Sequence, residues 1–273
     1  MTIREFLKKS EDPEKLRYLM MAREHWSFRD FLLREDEDIP EELSAYLLST
    51  KESLRSGVPL QYIAGEAPFF GRDFRVDSRV LIPRFDTEIL VEEALDTIDH
   101  RIEDRNDSRI SVLDLCTGSG CIGITIALER PNVSVTLSDV SDDALSVAKI
   151  NAERFGLSLP VVKSSYFDSI PGSFHVIVTN PPYIRDDVIE TLDKEVRDHE
   201  PRIALSGGAD GLSAYREIIT KSTAFLRKNG TLLTEIGYDQ GGPVSEMFQK
   251  AGFRNVSVKK DLAGHDRVVK GTL

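Results

Sequence analysis

The chain has 273 residues, 40% of them hydrophobic, and a net charge of −11; that supports one or two packed domains and disfavours a phosphate-backbone binder, which needs a basic face. No apolar run approaches the ~18–20 residues of a membrane span, and the start, Met1-Thr2-Ile3-Arg4-Glu5, is charged at once, which argues against a signal peptide. The two cysteines, Cys116 and Cys121, read as free thiols of a cytoplasmic protein, and the five scattered histidines give no metal-ligand spacing, so no metal is expected.

The first stretch carries helix signals. Thr2-Ile3-Arg4-Glu5 fits a capping box. Asp12-Pro13 reads as a cap with proline at the first helical position, placing Leu16, Leu19 and Met20 on one face. Ser27 starts a further helix with Phe28, Phe31 and Leu32 inward, and Ile39-Pro40 another with Leu43, Tyr46 and Leu47. These predict a small helical bundle over residues 1–65, whose apolar stripes are core. Over 66–85 the period changes. Phe74, Val76 and Val80 fall at even spacing and Asp77-Ser78 is a turn candidate, which predicts a β-hairpin linker. Asp86-Thr87-Glu88 then opens a helix with Leu90, Val91, Ala94, Leu95 and Ile98 inward, and 100–109 reads as a charged loop.

From Ile110 the pattern is α/β. Strands near 111–115, 133–138, 160–163, 174–179 and 231–236 alternate with helices near 121–130, 142–155, 212–227 and 240–252. Two closing strands lie near 254–260 and 266–271, and right-handed crossovers make this a doubly wound sheet. The polar stretch 183–210 is too long for a plain connection and reads as a flap.

Three segments carry chemistry. After the strand at 111–115 comes Cys116-Thr117-Gly118-Ser119-Gly120-Cys121-Ile122-Gly123, whose glycines satisfy G-x-G-x-x-G. Such a turn lets a ligand approach the backbone at a helix N-terminus. Asp139 follows at about 20 residues, where an acid binds ribose hydroxyls; alone, it reads equally as a helix cap. Asn180-Pro181-Pro182-Tyr183 ends the apolar strand Phe174–Thr179. Asn offers a carbonyl acceptor and an NH2 donor, and the prolines stiffen the turn and leave carbonyls free. The result is a rigid acceptor pair beside an aromatic wall, suited to a planar –NH2 group. Alone, the four residues read equally as a strand followed by a Pro-Pro turn.

Together these segments resemble the class I S-adenosylmethionine-dependent methyltransferases. There Asp-x-x-x-Gly-x-Gly, here Asp114 to Gly120, is the first motif and Asn-Pro-Pro-Tyr marks amino-group methylation. Gly57-Val58-Pro59-Leu60-Gln61-Tyr62-Ile63-Ala64-Gly65-Glu66, Val80-Leu81-Ile82-Pro83-Arg84 and Glu200-Pro201-Arg202-Ile203-Ala204-Leu205 narrow the likeness. So do Gly207-Gly208-Ala209-Asp210-Gly211-Leu212, Glu235-Ile236-Gly237, Gln240 and Asp261 to Arg267. These are similar to the release factor glutamine methyltransferases (the HemK/PrmC family).

The resemblance implies a Rossmann-like, seven-stranded doubly wound sheet with its last strand antiparallel. It divides the chain into 1–65, a helical substrate-docking domain; 66–85, a β-hairpin linker; and 86–273, the methyltransferase domain. It implies S-adenosyl-L-methionine as cofactor, held by Cys116, Thr117, Gly118, Ser119, Gly120, Asp139, Val140, Tyr166 and Asn180. Asn180, Pro181, Pro182 and Tyr183 become the catalytic turn. The implied reaction is transfer to the side-chain nitrogen (N5) of the glutamine in the Gly-Gly-Gln motif of peptide-chain release factors, without stable nucleic-acid or membrane binding. The chain departs from the pattern at Cys116, where glycine is usual, at Ser165 for an acid, and at Phe85 and Asp86 for Pro and Glu; Arg84 and Glu88 are kept. An adenine methyltransferase would share Asn180 to Tyr183 and flip its base onto the tyrosine. A nicotinamide dehydrogenase would use the glycines and Asp139 but leaves Asn180 to Tyr183 unexplained, and a non-catalytic scaffold needs no acceptor turn.

Overall fold

Short amphipathic segments fold residues 1–65 into helices: α1 (Ile3–Lys8), α2 (Pro13–Glu24), α3 (Phe28–Arg34), α4 (Glu41–Ser49), α5 (Lys51–Arg55) and α6 (Leu60–Ala64). The computed structural model describes residues 1–105 and 109–273. Thr2 and Glu5 cap α1 reciprocally, at 3.2 and 3.1 Å, and Ser27 with Asp30 does the same for α3. Asp12 makes no side-chain cap; Pro13 at the first position of α2 suffices to start it. Ile3, Leu16, Leu19, Met20, Phe31, Leu43 and Leu47 form the core of this bundle. Phe28 and Leu32, expected inward, are instead exposed. The two turns of α3 present only Phe31 to the core, and Phe28 stacks on its ring with the Arg17 guanidinium 5.7 Å above.

The hairpin lies earlier than the spacing predicts. Strands β1 (Glu66–Phe69) and β2 (Arg72–Arg75) pair antiparallel around Phe70 and Gly71, at φ 50° and 72°. A two-residue hairpin turn of type I′ has positive φ at both positions, and Phe70 gives no such signal. Asp77-Ser78 makes a separate turn, with Asp77 Oδ1 accepting the Arg79 N–H at 3.2 Å. A 3₁₀ turn (Phe85–Thr87) leads into α7 (Glu88–Arg105). Leu90, Val91, Ala94, Leu95 and Ile98 of α7 are buried, and Glu88 accepts the Phe70 N–H at 2.7 Å. The helix thus continues through most of the loop expected over 100–109; residues 106–108 of that loop lie outside the described residues.

Strands β3 (Ser111–Leu115), β4 (Ser134–Asp139), β5 (Val161–Lys163), β6 (Phe174–Thr179), β7 (Leu226–Glu235), β8 (Arg254–Lys260) and β9 (Asp266–Thr272) follow. Among the described residues they form one seven-stranded sheet, ordered β5-β4-β3-β6-β7-β9-β8. All neighbours are parallel except β9, which runs antiparallel to both β7 and β8. β7 begins five residues before its expected start, because Leu226 pairs with Phe174 before a register shift. The connecting helices are α8 (Cys121–Glu129), α9 (Asp142–Arg154), α10 (Asp186–Ile189), α11 (Lys194–His199), α12 (Arg202–Leu205), α13 (Ser213–Phe225) and α14 (Gly241–Lys250). Helices α7 and α8 bury one face of the sheet and α13 and α14 the other. The buried Asn151 of α9 joins linker to sheet: it pairs with the Arg75 N–H and carbonyl at 2.7 and 3.0 Å and donates to Ser119 O at 2.8 Å.

Candidate active site

Strand order reverses between β3 and β6, and in open α/β sheets that switch point opens a crevice at the carboxyl ends of the strands. A cavity of 320 Å³ lies there. The loops after β3, β4 and β6 line it with Cys116 to Ser119, Asp139, Val140, Asn180 and Pro182, joined by Tyr166. Arg79, Val80, Leu81, Pro83 and Arg84 add to it from the segment after β2, Thr87 from the 3₁₀ turn, and Pro201, Ile203 and Ala204 from the stretch read as a flap.

The turn after β3 is wound left-handed at Cys116 (φ 60°), Gly118 (φ 54°) and Gly120 (φ 84°). Gly118 faces open space: a Cβ built there meets no atom within 4 Å. Gly123 lets α8 sit close on β3, since a Cβ there would fall 2.8 Å from Asp114 Oδ2. That oxygen accepts the Gly123 N–H at 2.8 Å and the Thr117 hydroxyl at 2.5 Å. Burial pushes the Asp114 carboxyl up to about 7 against these two bonds.

Asp139 is not a helix cap. Ser141 caps α9, and Asp139 faces the cavity with Oδ2 on the Gly118 N–H and Oδ1 on the Ser141 N–H, both at 3.0 Å. Burial raises its pKa, and those N–H groups work against the rise.

At the end of β6, the Asn180 Nδ2 donates to Thr87 Oγ1 at 3.2 Å. Pro181 and Tyr183 do not line the cavity. The aromatic wall expected of Tyr183 lies behind the turn instead: its ring packs on the core of the α13 face and its hydroxyl donates to Glu235 Oε1 at 3.1 Å. Glu235 is buried, which raises its pKa to about 7, opposed by Thr87, Tyr183 and Arg267. Gly120 likewise stays off the cavity wall, as the cap position of α8.

Stretch 183–210 is folded rather than a plain loop. It holds α10, α11 and α12, and Ile184 bridges to Ser206. Glu200 clasps it to the linker: Oε1 takes Arg84 Nη2 at 2.5 Å and Oε2 the Ile82 N–H at 3.2 Å. Arg84 is thus the partner of a buried carboxylate. Gly207 and Gly211 pack against the acceptor turn, where an added Cβ would fall 2.8 Å from the Tyr183 Cα and 2.6 Å from its carbonyl oxygen. Thr87 and Asn151 carried no motif signal, and Glu235 stood only within the family-like Glu235-Ile236-Gly237 with no role assigned to it. Their burial as polar side chains, visible only in the fold, marks them.

A family model described as Methyltransferase small domain matches residues 87–196, and one described as PrmC N-terminal domain matches residues 2–65. The chain is 40% identical over 246 residues to the release factor glutamine methyltransferase of Agrobacterium fabrum, covering 89% of this chain and 84% of that relative. With the enzyme of the same name from Streptococcus pneumoniae it shares 36% identity over 267 residues, 97% of this chain and 93% of the relative. Among solved structures it resembles the hMettl16 catalytic domain in complex with MAT2A 3'UTR hairpin 6, with a TM-score of 0.58 at 17% identity over 85% of this chain and 81% of that one. A methyltransferase from Pyrococcus furiosus gives 0.51 at 16% identity over 85% of this chain and 98% of that one. At such identities the likeness is one of fold.

Proposed function

This chain belongs to the release factor glutamine methyltransferases, and we propose that it moves a methyl group from S-adenosyl-L-methionine to the N5 nitrogen of the glutamine in the Gly-Gly-Gln motif of peptide-chain release factors. The observation that carries this reading is that Asp139, the left-handed turn Cys116–Ser119 and Asn180 line one cavity. A nucleoside-type acid and an amide acceptor are then within reach of the same small molecule.

The cavity suits the cofactor. Asp139 offers acceptor oxygens to a pair of hydroxyls, Val140 and Tyr166 supply apolar walls for a base, and Gly118 leaves the backbone open. When bound, S-adenosyl-L-methionine supplies a methyl on a sulfonium, open to in-line displacement. The rest falls to the acceptor turn. An amide nitrogen is a poor nucleophile because its lone pair is delocalised, so the site must hold both N–H groups and turn the lone pair toward the methyl. Asn180 Oδ1, on the cavity wall, is one acceptor, and in this proposal the main-chain oxygen of Pro181, a residue outside the cavity lining, is the second. As the nitrogen becomes cationic both bonds strengthen, which is the differential stabilisation that lowers a barrier. The turn needs no strong general base, because the proton leaves to water after transfer.

Glycines beside the glutamine let a narrow loop pass the rim formed by Pro201, Ile203 and Ala204. Residues 1–65 form the docking domain, 66–85 the linker and 86–273 the transferase domain in this proposal. Exposed Phe28, Leu32 and Leu33 on α3 offer an apolar docking surface. Among the described residues no helix is long and apolar enough to cross a membrane; the proposed substrate places the protein in the cytoplasm.

Mass spectrometry of a release factor incubated with this protein and S-adenosyl-L-methionine tests the assignment. One added methyl on the glutamine is expected. Incorporation that persists in a Gln→Ala release factor, or that runs faster on DNA, would reject it.

A further inference from the structure

One buried carboxylate joins two segments of the cavity wall. The Glu200 side chain is 1% exposed. Its Oε1 accepts from Arg84 Nη2 at 2.5 Å and its Oε2 from the Ile82 N–H at 3.2 Å. Pro201, Ile203 and Ala204 follow it directly and line the cavity. On the other segment, the Arg84 carbonyl oxygen accepts the Thr87 N–H at 3.0 Å, and Thr87 Oγ1 accepts from Asn180 Nδ2 at 3.2 Å. Arg84 and Thr87 are themselves cavity-lining residues, and Glu200 is not.

We infer that Glu200 is a positioning residue for methyl transfer: it holds the segment from Ile82 to Thr87, and through Thr87 the Asn180 amide, in place against the Pro201–Ala204 wall. The inference rests on the methyl-transfer reading above. A carboxylate can accept in two directions at once. Here one oxygen fixes a side chain and the other fixes the main chain two residues earlier, which holds the segment against both sliding and rotation. Charge-assisted bonds of this kind are short and strong, and burial keeps water from competing for them. The ion pair Arg202–Glu190 on the same stretch is the contrast. Both of its side chains are 62% exposed, and a surface pair of that kind is worth little.

A post must itself be held. The Glu200 N–H donates to Val196 O at 3.0 Å, at the end of α11. His199, the residue before it, has Nε2 at 3.2 Å from Ser56 O, and Glu195 of α11 bridges to Lys15 at 3.4 Å. On the other side of the clasp, the Tyr62 hydroxyl donates to Val80 O at 2.6 Å. Lys15, Ser56 and Tyr62 all belong to the helical bundle, so the bundle braces both segments that Glu200 joins.

The test measures kcat, KM for a release factor and the cofactor dissociation constant, with thermal melts alongside. The variants are Glu200→Gln, Arg84→Lys, Arg84→Met, the double change Glu200→Leu with Arg84→Met, and Glu190→Gln as a control. In Glu200→Gln the amide can still accept from Arg84, but its NH2 then meets the Ile82 N–H, donor against donor. This variant and Arg84→Met are expected to lose about tenfold or more in kcat, as misplacement of a reacting group does, and less in cofactor affinity. Arg84→Lys keeps a cation for Glu200 and is expected to retain most of the kcat that Arg84→Met loses. The double variant removes a buried charge together with its partner, a change that proteins often tolerate; its melting temperature should return toward wild type while kcat stays low. Glu190→Gln should match wild type throughout. If Glu200→Gln does not fold, the lysine and methionine changes at half-exposed Arg84 decide. A wild-type kcat in Glu200→Gln, a kcat that recovers with stability in the double variant, a lysine variant as impaired as methionine, a Glu190→Gln as impaired as Glu200→Gln, or a loss confined to cofactor affinity overturns the positioning role. A wild-type protein that transfers no methyl to the release factor overturns the underlying reading as well, and the two failures are told apart because wild type is assayed first.

Discussion

Gln240 donates from Nε2 to the Tyr183 carbonyl oxygen at 3.0 Å. The same amide donates to Gly211 O at 3.2 Å and accepts at Oε1 from the Gly237 N–H at 2.8 Å and the Tyr215 hydroxyl at 3.2 Å. One buried side chain therefore joins the acceptor turn, the glycine loop before α13 and the start of α14. This ties the motif-like segments near 207–212 and 235–240 mechanically to Asn180.

Gln240→Leu should loosen that junction. Each buried group left without its partner costs about 1–3 kcal/mol, so a clear drop in melting temperature is expected, with a larger loss in kcat than in cofactor affinity. Unchanged melting and turnover would show that the junction is not needed to hold the turn.

Asp139→Ala should weaken S-adenosyl-L-methionine binding about tenfold or more, the loss of a charge-assisted contact being worth ~1.5–3 kcal/mol. Titration calorimetry on the folded variant reads this directly. Wild-type affinity would remove Asp139 from the cofactor site.

Asn180→Ala should retain the fold while turnover falls by about 10²–10³, the usual worth of one preorganised transition-state contact. Single-turnover methyl transfer is the measurement, and a near wild-type rate would sink the acceptor-pair mechanism.

Leu33→Glu should raise KM for an intact release factor several-fold and leave cofactor affinity alone. Leu33 is 71% exposed on α3, so the change disturbs no core contact. An unchanged KM would locate docking elsewhere.

Stability should decline as pH rises from about 5 to 7. Asp114 and Glu235 are both raised by burial to about 7 in the folded chain, from ordinary values of 3.8 and 4.5. In that window the native state keeps protons that the unfolded chain has released, so deprotonation favours unfolding. Asp139 and Glu200 are raised too and act in the same direction. Paired carboxyls such as Asp77 and Asp99 are lowered, and their loss of stability falls at more acid pH. Melting temperatures across pH 5–8 test the slope, which Glu235→Gln should flatten.

The strand ends were legible because short apolar runs bounded by Gly, Pro and Asp have few alternatives. Asp114 to Gly120, Asp139 and Asn180 each follow such a run, so their meeting at one sheet edge followed from topology. The turn at Phe70-Gly71 was not legible, because an aromatic residue at positive φ is held by packing and not by local preference. Phe28 and Leu32 misled for the opposite reason: helical spacing marks an apolar face without showing how much of it a seven-residue helix can bury. Tyr183 was read as a wall because it closes Asn180-Pro181-Pro182-Tyr183 at the carboxyl end of a strand, but its hydroxyl follows Glu235, a residue 52 positions away.

Sheet order has a further consequence at its rims. β5, at one edge, is three residues long, and β8, at the other, is exposed along nearly its whole length. An open strand edge is a template on which other chains can pair and aggregate. β8 carries Arg254, Lys259 and Lys260, with Lys259 bridged to Glu93 and Lys260 to Asp266. A second copy docking edge to edge would bring like charges together and displace those bridges. Seven strands can therefore end in open water without a covering helix, and the sheet resists growing from one molecule into the next.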